Sequence, residues 1–146
     1  MIVVLDTNVL VSGFLNAHGK PGQIIDLLYE NRFQIAYDDR ILGEYEDILA
    51  RPKFGFDPSK ARDLINHIEL TGKLIEAELF PNLSLQDPDD LPFAEVFITA
   101  KAQALVTGNS RHFTSLVEKR WLVYSPAQFL NQFFFCDSQP ATLEDV

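Results

Sequence analysis

The sequence predicts an α/β fold in which a mostly parallel sheet is covered by helices on both faces, and two observations carry that prediction. The first is Ile2–Leu5, a short and wholly apolar run of the kind that forms a strand buried on both sides. The second is the alternation of helical and strand-like segments along the rest of the chain, which is how parallel strands are connected.

The elements follow in order. Pro21 suits a first helical position, and Ile24, Ile25, Leu27 and Leu28 continue at helical spacing. Phe33, Ile35 and Tyr37 alternate as a strand. A helix over residues 40–50 buries Ile41, Leu42, Tyr45, Ile48 and Leu49, and it stops before Arg51-Pro52 because proline disfavours a helical residue ahead of it. Another helix is capped by Asp57 with Pro58 behind it, turns Ala61, Leu64, Ile65 and Ile68 inward, and ends near Gly72. Residues 74–77 suit a short strand.

After the turn-rich Asp87-Pro88-Asp89-Asp90, a further helix presents Phe93, Val96, Phe97, Ala100 and Ala104 on one side, with Glu95 on the solvated side. Strands are expected at 105–107 and 121–124. Ser125-Pro126 then opens a last helix running through Phe135. Residues 1–135 are expected to form one domain, and 136–146, polar and acidic, a disordered tail.

Composition narrows the function. A chain of 146 residues, 47% of them hydrophobic, supports one core but not two of ordinary size. The balance of 12 basic against 21 acidic residues, a net charge of -9, disfavours the broad phosphate-binding surface of a sequence-independent nucleic-acid binder, so nucleic-acid contact must be local or metal-mediated. The single cysteine, Cys136, cannot form an internal disulfide, which fits a reducing cytoplasm. Asp6 interrupts the first apolar run with no basic segment before it, so it does not read as a signal peptide, and no stretch is long enough to span a bilayer. A soluble cytoplasmic protein with no membrane partner is expected.

In an open parallel sheet, ligands bind beyond the carboxyl ends of the strands, where the strand order switches. That rule selects Asp6 and the Thr107-Gly108-Asn109 turn, each of which follows an apolar strand. Asp6 alone has a simpler reading as a helix cap. Glu44 borders the buried stripe of its helix between Ile41 and Ile48. Glu46 borders the other side, so periodicity leaves the choice between the two open, while Asp47 points away. Of Asp87, Asp89 and Asp90, at least one caps the following helix, and Asp90 lies nearest its buried face. Three such carboxylates repel one another unless a cation joins them, and all-oxygen ligation selects magnesium or manganese over zinc. Such a site activates water and offsets charge in phosphodiester cleavage. His18, His67 and His112 have no metal-ligand spacing and read as surface or packing residues.

In Val3-Val4-Leu5-Asp6-Thr7-Asn8-Val9-Leu10-Val11-Ser12, Arg51-Pro52-Lys53-Phe54, Asp87-Pro88-Asp89-Asp90-Leu91-Pro92-Phe93 and Leu105-Val106-Thr107-Gly108-Asn109-Ser110-Arg111-His112-Phe113, the chain resembles the PIN-domain family. The likeness is to the VapC-like branch, toxin components of bacterial toxin-antitoxin pairs. Each motif is short, but their order and spacing run over nearly the whole chain, to about Phe135. The resemblance implies a three-layer α/β/α nuclease domain and a magnesium- or manganese-dependent endoribonuclease, often dimeric and inhibited by an antitoxin.

Carried over by position, it makes Asp6 the first metal-binding carboxylate, Glu44 the second, in preference to Glu46, and Asp90 the third. It gives Thr7 a part in holding Asp6 and a coordinated water, and Asn8 one in fixing the turn. Thr107 and Asn109 would position a second ion, a water or the scissile phosphate, and Arg111 could reach phosphate. One departure stands out. Many members carry an acid after the Thr-Gly of the fourth strand, where this chain has Asn109, an amide that brings oxygen but no charge, so a second ion would bind more weakly.

Two rivals remain. Haloacid dehalogenase-type phosphatases also place an aspartate after an apolar first strand, but they need a second one two residues on, where this chain has Asn8. A PIN-like domain that has lost acids would instead serve as a binding or scaffold module, and Asn109 is one such loss.

Overall fold

The computed structural model describes residues 1–113 and 122–135. Its centre is β1 (Ile2–Leu5), in which Val3, Val4 and Leu5 are fully buried, as a strand with apolar side chains on both faces requires. β1 pairs in parallel with β2 (Gln34–Tyr37) on one side and with β4 (Ala104–Val106) on the other. The short strands β3 (Lys73–Leu74) and β5 (Val123–Tyr124) extend the sheet at either edge, giving the order β3-β2-β1-β4-β5 with every pairing parallel.

Helices α1 (Thr7–Leu15) and α2 (Lys20–Tyr29) connect β1 to β2, and α3 (Asp39–Leu49) and α4 (Pro58–Thr71) connect β2 to β3. Helix α5 (Leu91–Ala100) leads into β4, and α6 (Pro126–Phe133) follows β5. The chain steps outward in one direction through β2 and β3, then crosses back to β4 and outward the other way. Right-handed crossovers therefore place α1–α4 on one face and α5 on the other, a three-layer α/β/α arrangement whose order switches between β1 and β4.

Local chemistry accounts for most boundaries. The Asp57 side chain accepts from the Ser59 amide to start α4, and Ser125 and Gln128 form a reciprocal capping box at the head of α6, which ends at Phe133 rather than Phe135. Gly19 caps α2, so Pro21 is its second residue rather than its first. Strand β2 buries Ile35, Ala36 and Tyr37 alike, because helices cover both of its faces, and the alternation read from Phe33 to Tyr37 is not a solvated edge. The helix expected to run through Ala104 ends at Ala100. Lys101 takes the left-handed conformation at φ 52°, and Ala104 begins β4 instead. Trp121, placed in a strand from the sequence, and residues 136–146, expected as a tail, lie outside the described residues.

Two buried polar contacts tie α3 to the rest. The Tyr45 hydroxyl, with the residue fully buried, donates to the Leu5 carbonyl at 2.6 Å and fixes the helix against the carboxyl end of β1. At the start of α3, Asp38 accepts from the Ile41 amide and is bonded by Arg40, whose other guanidinium nitrogen bonds Glu95 of α5 at 2.7 Å. Glu95 is therefore buried at 1% exposure and not solvated as its spacing suggests. It also accepts from the Phe80 amide, so the segment leading to α5 closes over it.

Replacing Tyr45 with Phe removes the hydroxyl and strands a buried carbonyl, so Tyr45→Phe is expected to destabilise the fold by about 1–3 kcal/mol. Urea unfolding would register this as a lower midpoint with unchanged slope. An unshifted midpoint would mean that the hydroxyl does not hold α3.

Candidate metal centre

The switch between β1 and β4 brings the two polar strand ends together. The Asp6 amide donates to the Val106 carbonyl at 2.9 Å, which continues the β1–β4 ladder one residue past the strand. Asp6 occupies the N-cap position of α1 yet makes no side-chain cap hydrogen bond. Its Oδ2 instead accepts from the Thr107 hydroxyl at 2.7 Å and from Asn8 Nδ2 at 3.1 Å. Asn8 in turn accepts from the Gly108 amide at 3.1 Å, bridging the ends of β1 and β4. At 5% exposure Asp6 is a buried carboxylate, and burial raises its pKa, tempered by the Thr107 hydroxyl and more weakly by the amides of Asn8 and Thr7.

Glu44 enters from α3 because Tyr45, the next residue, is anchored on β1. Its Oε2 accepts from the Thr7 hydroxyl, and it is half-buried while Glu46 is exposed. Burial again raises its pKa, offset by Thr7 and reinforced by the charge of Asp6. Asp90 ends a single 3-10 turn, Pro88–Asp90, and stands at the N-cap position of α5, likewise without a side-chain cap bond. Asp87 does the capping there, accepting from the Asp89 amide at 3.0 Å. Burial and the charge of Asp6 push Asp90 up to about 6, against the opposing effect of His112. Thus Glu44 and Asp90, contributed by different elements, both sense the charge of Asp6.

Thr7, Thr107 and Asn109 are also bonded at this crevice. Thr107 is fully buried, and its hydroxyl is committed to Asp6 while accepting from the Asn109 amide at 3.0 Å. The Thr7 hydroxyl bonds Glu44, while its backbone amide acts on Asp6. Asn109 is half-buried at the mouth and Arg111 is exposed. His112, read from spacing as a surface or packing residue, lies in the site, with Nδ1 3.0 Å from Asp90 Oδ2. Among the described residues, Asp87, Asp90 and His112 are the one set of three whose candidate ligand atoms all lie within 4.8 Å of one another. No linear spacing joins 87, 90 and 112; only the turn after β4 does.

Among the described residues, no lysine or arginine forms an ion pair with Asp6, Glu44 or Asp90; Arg40 is taken by Asp38 and Glu95, and Arg51 by Asp47. Carboxylates that feel the charge of a buried Asp6, with no lysine or arginine paired to them and only the His112 imidazole beside Asp90, are a donor set that suits a hard divalent cation.

This is an α/β protein with an acidic crevice at its switch point. More particularly, the chain belongs to the PIN domain family, whose sequence model matches residues 2–111. An uncharacterized protein of Methanocaldococcus jannaschii is 26% identical over 142 residues, covering 90% of each chain. Among solved structures, the fold is similar to a chain of VapBC2 from Rickettsia felis bound to a DNA fragment from its promoter, with a TM-score of 0.56, 18% identity and coverage of 86% of this chain and 98% of that one. It is also similar to a chain of VapBC-1 from nontypeable Haemophilus influenzae, with a TM-score of 0.55, 16% identity and coverage of 87% and 99%.

The raised pKa values set a pH dependence. Each of these acids holds its proton more tightly folded than unfolded, so the metal-free fold gains stability at low pH and loses it as pH rises through the carboxylate range, for Asp90 up to about 6. Divalent cations bind the ionised forms. Mn2+ is therefore expected to raise Tm more at about pH 7.5 than at about pH 5. Equal shifts at both pH values would count against these carboxylates as its ligands.

Proposed function

We propose that the protein is a magnesium- or manganese-dependent endoribonuclease, the toxin of a toxin-antitoxin pair. The observation that carries this reading is that Glu44 and Asp90 both sense the charge of Asp6 at the β1–β4 switch, with no lysine or arginine in an ion pair with any of the three among the described residues. The VapBC neighbours, in which the same fold occurs, support the toxin assignment.

In this reading Asp6, Glu44 and Asp90 hold the cation. When bound, the ion supplies Lewis-acid activation of water and offsets charge developing on the phosphodiester. The chain's own residues prepare the site. Thr107 and Asn8 fix the orientation of Asp6, and Thr7 fixes Glu44 across the α1–α3 contact. In the same reading the half-buried Asn109 offers its amide to an RNA phosphate and the exposed Arg111 a cation. Because the chain is strongly acidic, RNA is drawn by this local chemistry rather than by a general field. The same reading has two copies pair, a contact to which the exposed Leu70, Leu74 and Leu79 offer apolar surface.

A second reading, a binding module without catalysis, is favoured by Asn109, which brings no charge where many relatives bring an acid. One comparison separates the two. Mn2+-dependent cleavage of a mixed single-stranded RNA pool is expected from the wild type and is expected to fall by more than the roughly 10–100-fold typical of a lost supporting contact in Asp6→Asn. Expression of the wild type, and not of the variant, is expected to arrest growth. Equal cleavage by both proteins would rule the nuclease reading out.

Asn109 yields a separate expectation. Asn109→Asp adds an anion at the mouth, so the Mn2+ concentration giving half-maximal cleavage should fall. A titration showing no change would place residue 109 outside the ion's reach.

A further inference from the structure

Ser110–Phe113 is a short turn that the proposed chemistry uses only through Arg111. It is anchored at both ends. Phe113 is fully buried in the core, and the His112 amide donates to the Asn109 carbonyl at 2.9 Å. From this fixed backbone the His112 ring reaches across to Asp90, whose side chain is 13% exposed against 23% for the histidine. With Asp90 ionised, Nδ1–H donates to Oδ2, and among the described residues this is the one side-chain hydrogen bond that the Asp90 carboxylate makes. Asp87 lies close by, and its like charge disfavours an ionised Asp90. The imidazole therefore restrains a carboxylate that both Asp6 and Asp87 repel.

We propose that His112 is a positioning residue for Asp90. It holds Oδ2, leaves Oδ1 as the free oxygen, and so keeps the third carboxylate at the crevice within range of Asp6. The segment after β4 then contributes through His112 what its uncharged Asn109 does not. Hydrogen-bonded partners of metal-binding carboxylates commonly set ligand orientation in this way, and their loss costs about 10–100-fold in metal affinity. The inference rests on the metal-centre reading above.

The test compares His112→Asn, His112→Gln and His112→Leu. Asparagine can present an N–H near the position of Nδ1, glutamine nearer that of Nε2. Calorimetric Mn2+ titration is expected to show affinity reduced about 10–100-fold in His112→Gln and His112→Leu and close to wild type in His112→Asn. Crystal structures of the metal-free proteins are expected to keep Asp90 in place in His112→Asn and to show it displaced in His112→Leu. An undisplaced Asp90 in His112→Leu, or equal affinity in all three variants, would overturn the positioning role. So would nitrogen hyperfine coupling in the Mn2+ spectrum of the wild type that disappears in His112→Asn, since it would make His112 a ligand. A wild type that binds no Mn2+ would overturn the metal-centre reading alone, and the metal-free structures would still decide the role of His112.

Discussion

A carboxylate at 5% exposure, at the end of the central strand, is the constraint around which the rest of the site is arranged. Leaving Asp6 without polar partners would be costly in so dry a position. The structure supplies Asn8 from the first turn of α1 and Thr107 from just beyond β4, and the second requires β1 and β4 to be neighbours. The reversal of strand order thus brings together the groups that make Asp6 tolerable. The same reversal opens the crevice into which Glu44 and Asp90 lean.

Stability and function pull against each other here. Asp6, Glu44 and Asp90 all have pKa values raised first of all by burial, so as ionised groups they oppose folding. The opposing contacts lie one step away. Tyr45 fixes α3 on Leu5, and Arg40 joins Asp38 of α3 to Glu95 of α5. These bonds link elements on the two sides of the sheet near the carboxyl ends of its strands, so an acidic crevice can persist between them. Within it, Asp6 and Asp90 both occupy helix N-cap positions without capping. Their side chains are left to the crevice, while Asp87 and Asp38 perform the capping.

Much of this was readable from the chain because the signals are local. Periodicity and apolar runs gave the α/β class and most elements, and Asp57 and Ser125 announced their helices by cap chemistry. Boundaries failed where a non-glycine residue took a left-handed turn, as Lys101 does; propensity carries no warning of that. Asp6, Glu44 and Asp90 were named by position, and Glu44 is the half-buried member of the pair that periodicity left undecided. Glu95 and His112 differ from their sequence reading for related reasons: helical spacing describes a helix face against its own core and not the loop that the Phe80 amide lays over Glu95, and linear spacing among histidines does not register a turn folded onto Asp90.

By itself, the sequence determined the elements, their parallel arrangement and the acids at the strand ends, because hydrophobic period and strand-end chemistry act over a few residues. Tertiary structure decided which polar groups meet. Thr107 lies 101 residues from Asp6, Glu95 55 from Arg40 and His112 22 from Asp90, and each contact depends on packing between separate elements. Desolvation depends on it too, so the raised pKa values of the acids were fixed by the fold and not by their neighbours in the chain.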